Sequence, residues 1–331
     1  MKIDNRTPFV AERSVCQDRN GRDHLLVVLK ATFCLDNRGR AIPDEEQLPL
    51  VIADKYVGDE GKSSLLFEGE LIPPKPTTDV ILVGHAYGRG AIKVDVGLRV
   101  GDLSKMIRVF GDRFWDFGVI RDRITTPHTF EKMPLVYERA FGGEDCESEE
   151  KKRSVEARNP VGCGYRGKAS KEGVHPLPNL ENPLALISRE SDRPQPACFG
   201  FVGRNWKPRV DYIGTYDEAW RKNRFPLLPV DFDERYFNSA HPELIANAYL
   251  QGNEPVEAHN VTEKYGPWTF NLPGIGSVAE VMVGKKQESL PLSFDTLLLL
   301  PDSYQFVMIW RGSIDIHNRL LNVTNIQIDT T

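Results

Sequence analysis

Two aspartates one residue apart, Asp231 and Asp233 in the stretch PVDFD, are the first candidates for chemistry. On an extended segment residues i and i+2 point the same way, so both carboxylates would share a side. Paired carboxylates suit acid–base work or a divalent cation. They equally suit turn capping, where a carboxylate accepts backbone N–H groups. Glu144 and Asp145 follow Gly142-Gly143 and carry the same ambiguity. Cys163 lies between Gly162 and Gly164, where a flexible backbone could present a thiol, and His175 is the nearest histidine along the chain. A nucleophilic cysteine needs a base placed beside it by the fold, so nearness in sequence does not decide the matter. A small buried cysteine in a tight turn is the ordinary alternative.

Other signatures fail on spacing. Gly61-Lys62-Ser63 has the end of a phosphate-binding loop, but the required earlier glycine is Tyr56. Gly84, Gly88 and Gly90 in GHAYGRG have the wrong spacing for a dinucleotide fingerprint and read as a hairpin between two strands. No G-x-S-x-G elbow occurs. The seven histidines are scattered, with no H-E-x-x-H, and the five cysteines have no zinc spacing. No metal and no cofactor is expected.

A different kind of residue is plentiful. GDRFW (111–115), VYERAFGG (136–143) and NWKPR (205–209) combine arginine with aromatic side chains. Such residues dominate protein–protein hot spots and also pack ordinary cores. Arg113, Trp115, Tyr137, Arg139, Trp206 and Arg209 are the partner-binding candidates on this ground.

The elements that must position these groups are mainly strands. LLVVLKATFCL (25–35) is rich in β-branched and aromatic residues between turn signals. In AIKVDVGLRV (91–100), Ile92, Val94, Val96, Leu98 and Val100 alternate with polar residues, the period of a half-buried strand. VILVGHA and MIRVF continue the pattern, and four C-terminal runs, SVAEVMV, FDTLLLLP, YQFVMIWRG and LLNVTNIQI, have strand length. The 296–300 run is apolar on both sides, as a strand covered on both faces would be. Strand spacing near ten residues with glycine-rich turns argues antiparallel pairing.

The middle differs. From about 141 to 250 proline and glycine recur every few residues, yet aromatic residues are frequent. Disordered linkers are poor in aromatics, so this stretch reads as ordered, irregular and folded against something. Short helices are expected at 216–224 and 241–250. The expected architecture is mainly β: antiparallel sandwich-like or barrel-like sheets, a long irregular Pro/Gly-rich middle and a few short helices. One domain would span 1–331, strand-rich over 1–140 and 255–331.

Length and charge exclude further classes. A chain of 331 residues with 40% hydrophobic residues has material for a large core. The formal net charge is −5, and the basic run Lys151-Lys152-Arg153 follows acids in CESEEKKRS, which reads as a solvated, self-compensating loop. Phosphate binding needs a positive field, so nucleic acid is not expected as a partner. The first fifteen residues carry charges throughout, and no apolar run approaches membrane length. A cytoplasmic location without membrane contact is expected.

The ordered set DVILVGHA (79–86), GDRFW, MPLVYERAFGG (133–143), NPVGCGY (159–165), PNLE (178–181), NWKPR, GTYDEAW (214–220), LPVDFDERYFNSA (228–240) and QGNEPVEAHNV (251–261) resembles a bacterial domain-of-unknown-function family found beside type VI secretion genes. The resemblance runs from residue 5 to about residue 275. Some members of that family resemble adaptors or chaperones that load toxic effectors, often with PAAR-like domains, onto the VgrG spike. The resemblance implies such a role here and brings no catalytic residue with it. The competing expectation is a hydrolase or carbohydrate-active enzyme on a β scaffold, using Glu144, Asp231, Asp233 or His175.

Overall fold

The computed structural model describes residues 1–118, 122–145, 154–166, 173–316 and 320–330. Strand makes up 43% and helix 8%, so the architecture is mainly β, with curled sheets forming a half-barrel. Of the solvated loop expected at CESEEKKRS (146–154), residues 146–153 lie outside the described residues.

Both ends of the chain build one nine-stranded sheet. Its main path runs Lys2–Asn5, Val323–Thr330, Ser277–Val283, Lys286–Leu300, Gln305–Asp315, Asp23–Leu35 and Val10–Gln17. Ala41–Pro43 pairs with Asp23–Leu35, and Asp79–Leu82 runs parallel to Lys286–Leu300. The 15-residue strand Lys286–Leu300 bends the sheet. Its first half pairs with Ser277–Val283 and its second half with Gln305–Asp315. Between them the register slips, because Phe294 faces Trp310 and Thr296 faces Ile309, leaving Asp295 unpaired. A bulge of this kind bends the strand, raises local twist and re-aims a side chain.

Nine consecutive residues of Asp23–Leu35 are buried, and so is Leu297–Leu299, as strands covered on both faces require. The five-stranded second sheet runs Leu180–Glu181, Leu103–Phe110, Lys93–Val100, Pro255–His259 and Trp268–Asn271. Here Val96, Leu98 and Val100 are buried while Lys93 and Arg99 are exposed. Aromatic stacking joins the two sheets. Phe306 of the large sheet stacks on Phe33 at 5.1 Å and on Phe270 of the second sheet at 4.6 Å.

The expected 216–224 helix is present as Glu218–Asn223, capped by Asp217, which accepts from the Trp220 N–H at 2.8 Å. The 241–250 helix is not. Only Pro242–Leu244 forms a 3₁₀ turn. After it the chain is drawn out against Thr78 and Asp79: the Ala246 N–H donates to Thr78 O, and Ile245 bridges Asp79. Tertiary hydrogen bonds replace those a helix would make within itself. GHAYGRG is not a hairpin either. Gly84 turns the chain, and His85–Ala91 is itself a strand, paired with Phe130–Pro134.

Candidate functional site

Five of the six arginine and aromatic candidates are buried. The Arg113 guanidinium lies over the Phe110 ring, 3.7 Å from its centroid, and pairs with the Glu181 carboxylate. Burial outweighs that pairing on both sides: it lowers the pKa of Arg113 and raises that of Glu181. Trp115 forms a small second core with Phe141, Leu177 and Ile187. Tyr137 and Trp206 meet edge to face at 5.3 Å. Only Arg139 reaches solvent substantially, its side chain 41% exposed while it holds Asp112 at 3.2 Å.

Arg209 is at the centre of a buried ionic network. Its Nη2 pairs with Glu68, Nε donates to Tyr236 O at 2.8 Å and Nη1 donates to Val202 O at 3.0 Å. Glu68 also faces Arg204 at 3.2 Å and Lys75 at 3.7 Å. Lys75 in turn bonds Asp79 at 2.6 Å and the Ser239 hydroxyl at 2.9 Å. Its backbone N–H donates to Asp295, the bulge residue, which pairs with Arg311. Arg311 donates to Glu70 O, and Lys30 donates to the Glu70 carboxylate at 2.8 Å. This chain of charges ties the irregular middle to the large sheet. Buried ions persist when each is paired and hydrogen-bonded, which these are.

The acid–base candidates divide into two places. Asp231 accepts from the Thr215 N–H at 3.0 Å and the Thr215 hydroxyl at 2.7 Å, and these bonds hold its carboxyl below the usual range. Asp233 caps the next 3₁₀ turn and pairs with Arg235, which lowers it likewise. Both aspartates therefore act as turn supports. Glu144, Cys163 and His175 instead line one cavity of about 290 Å³. It forms where Gly142 runs parallel to Gly164. Gly142 has φ 154°, and a Cβ there would lie 2.1 Å from Asn159 O, so only glycine allows the crossing.

Inside this cavity Cys163 and His175 do not hydrogen-bond each other. Cys163 Sγ donates to Pro176 O at 3.6 Å, and burial pushes its thiol up to about 11. Its charged neighbours are Arg139 and Asp112. The His175 ring sits edge-on to Phe117 at 5.2 Å, and its buried Nε2 has no hydrogen-bond partner among the described residues. Neither Asp231 nor Asp233 lines the cavity. Asp231 and Asp233 are thus held apart from Glu144 and Asp145, which line the cavity together. Among the described residues no group of three or more His, Cys, Asp and Glu could hold a metal ion. No helix among them is long and apolar enough to cross a membrane.

One surface feature was not legible as such. Of the central aromatic anchors read from sequence, Phe199, Phe201, Trp206 and Phe232 are buried, but Tyr216 remains outside, as do Phe225 and the aliphatic Val230. Tyr216 is 49% exposed, Phe225 67% and Val230 73%, and the helix between them buries no residue. Trp220 joins the rings, 4.7 Å from Tyr216 and 5.6 Å from Phe225. The base of this promontory is fixed. Trp220 Nε1 donates to Leu227 O at 2.8 Å, and Arg224 donates to Leu228 O and to Arg19 O. The sequence does carry a signal. Charged or polar residues 217, 218 and 221–224 surround the rings, so no apolar stripe exists to dock the helix.

Fold and surface together define a mainly β protein with a curled half-barrel, an ion-locked central segment and an exposed aromatic promontory. The chain belongs to a bacterial family described as an uncharacterized protein conserved in bacteria (DUF2169), whose model matches residues 20–311. No curated protein and no solved structure matches the chain.

Proposed function

We propose that this protein is a non-enzymatic cytoplasmic adaptor or chaperone that binds a type VI secretion effector and assists its loading onto the VgrG spike. Effectors with PAAR-like domains are the expected cargo. The collinear motifs described above support this reading, and the exposed aromatic promontory is the observation that carries it. Tyrosine, tryptophan and phenylalanine expose apolar area that association would remove from water, and aromatic residues are enriched in interface hot spots. The fixed base at Arg224 and Trp220 lowers the ordering cost of binding. A stable complex would bury on the order of 1,200 Å² or more, so the promontory would be its anchor and not its whole extent. Partly exposed Arg139 remains a second contact candidate.

The test is co-purification of the folded protein with the effector encoded beside it and with the spike protein. Capture of the effector by the wild type, and its loss in a Tyr216→Ser/Phe225→Ser double variant, is the expected result. A folded wild type that captures neither effector nor spike would overturn the reading. Counting this chain in intact secreted spikes separates an adaptor retained in the cell from a delivered component.

A further inference from the structure

The strand His85–Ala91 delivers His85 to the wall of a cavity of about 370 Å³. Leu65, Val83, Leu135, Val136 and Leu300 make that wall largely apolar. Packing voids in protein cores are seldom larger than a water molecule, whereas small-molecule sites run from roughly 300 to 1,000 Å³. The space is therefore of ligand size.

Local structure sets a carboxylate against His85. The long strand ends at Leu300, and Pro301–Ser303 form a 3₁₀ turn closed by Tyr304 in a left-handed conformation. This turn packs directly on Gly84, where a Cβ would lie 2.9 Å from Pro301 Cγ. Asp302 Oδ2 lies 2.6 Å from His85 Nδ1. Its Oδ1 accepts from the Tyr87 hydroxyl at 2.8 Å and faces Lys132 Nζ at 3.2 Å. Burial pushes the Asp302 carboxyl up, but His85, Tyr87 and Lys132 more than offset this and hold it below the usual range. Asp302 is then an ionised acceptor, so His85 Nδ1 carries a hydrogen and donates it to Oδ2. Nε2 is the ring nitrogen left over for another partner. No hydrogen bond to Nε2 is made among the described residues.

We propose that this cavity binds a small apolar molecule through a hydroxyl group that hydrogen-bonds His85 Nε2. The apolar wall takes the hydrocarbon body, and the Asp302-oriented imidazole takes the hydroxyl, which can both donate and accept. An anionic head is disfavoured, because it would leave water for a largely apolar space beside the Asp302 carboxylate. This site is independent of the adaptor reading and of the promontory.

The test uses the full chain with 1-hexanol, hexanoate and toluene as probes, read by imidazole NMR shifts and by calorimetric titration. Saturable binding of 1-hexanol with a shift of the His85 resonances is expected, with hexanoate roughly tenfold weaker. Gly200→Leu should abolish binding of 1-hexanol and toluene. Gly200 lines the cavity, and a Cβ there meets nothing nearer than Cys198 Sγ at 3.8 Å. His85→Phe should weaken 1-hexanol by roughly fivefold, the value of one hydrogen bond, and leave toluene unchanged. Asp302→Asn, which removes the carboxylate holding the ring, gives the same comparison if His85→Phe does not fold. No saturable binding to folded wild type overturns the site. Equal affinity for 1-hexanol in wild type and the folded histidine or aspartate variant overturns the assigned chemistry.

Discussion

The large sheet and the central segment rest on apolar burial and on paired charges in different proportions. Strands such as Asp23–Leu35 and Gln305–Asp315 bury long apolar runs, and their stability comes from area removed from water. The central segment has short strands, 3₁₀ turns and one six-residue helix with no buried residue. Beside buried side chains such as Phe199, Phe201 and Trp206, it is held by paired charges: Arg209 and Arg204 on Glu68, Arg113 on Glu181, and Lys105 on Glu243. Apolar burial is non-directional and tolerates adjustment, whereas a buried ion pair is satisfied only in one geometry and fails badly when half of it is removed. Pro- and Gly-rich chain can thus be held in one shape without regular secondary structure.

Four measurements would break or sharpen this contrast. The largest expected loss is in the sheet. Trp310 is 1% exposed and packs on Phe294, and Trp310→Ala should cost about 3–5 kcal/mol in urea unfolding with little change between pH 5 and 8. Glu68→Gln comes next, at about 3 kcal/mol near neutrality, because it leaves Arg209 and Lys75 buried beside a neutral amide. Its cost must depend on pH. Burial pushes the Glu68 carboxyl up, but Arg209, Lys75 and Arg204 more than offset this, so its folded pKa lies below the unfolded one. The wild-type advantage is present above about pH 4.3, the unfolded value, and is lost as pH falls through the folded pKa. A penalty for Glu68→Gln that stays constant down to acid pH would refute the ionic account.

His241 tests the same idea in a different window. Burial and, after it, Lys105 lower its pKa while Glu243 opposes them, and the outcome is about 4. A histidine buried neutral stabilises above its unfolded pKa near 6.5, and that stability is lost as pH falls through the folded value. Wild type should lose on the order of 3 kcal/mol across this window, and His241→Gln should flatten that slope. The smallest effect belongs to the promontory. Tyr216→Ser and Phe225→Ser should each change stability by only about 0.5 kcal/mol or less, since little around them is buried. A large loss of stability there would mean that these rings serve the fold and would remove the main support for a docking surface.

Strand positions were readable because alternation over 91–100 and long apolar runs at 25–35 and 294–300 follow from the pleat and from two-sided burial. The helix at 218–223 was readable from its sequence, and its cap proved to be Asp217. The predicted helix at 241–250 failed because Thr78 and Asp79, more than 160 residues away, take its hydrogen bonds. GHAYGRG failed because Gly88 passes close to Phe130, where a Cβ would lie 2.5 Å from the ring, so the glycine serves strand packing and not a turn. Arginine–aromatic strings pointed to residues at or just beneath a surface, and did not show which of them are buried. Arg209 and Arg113 carry the composition of an interface and sit in the interior, because carboxylates from distant segments meet them there.

The sequence by itself determined a mainly β protein, an ordered aromatic middle and the absence of any short catalytic or metal-binding motif, since these depend on periodicity and local spacing. Only the tertiary structure decided which charges are buried, that Asp231 and Asp233 support turns, that Glu144, Cys163 and His175 share a cavity without a Cys–His bond, and that Tyr216 and Phe225 stay outside. Burial and ion pairing join residues more than a hundred positions apart, such as Glu68 with Arg209 and His85 with Asp302, and no local pattern encodes such a meeting.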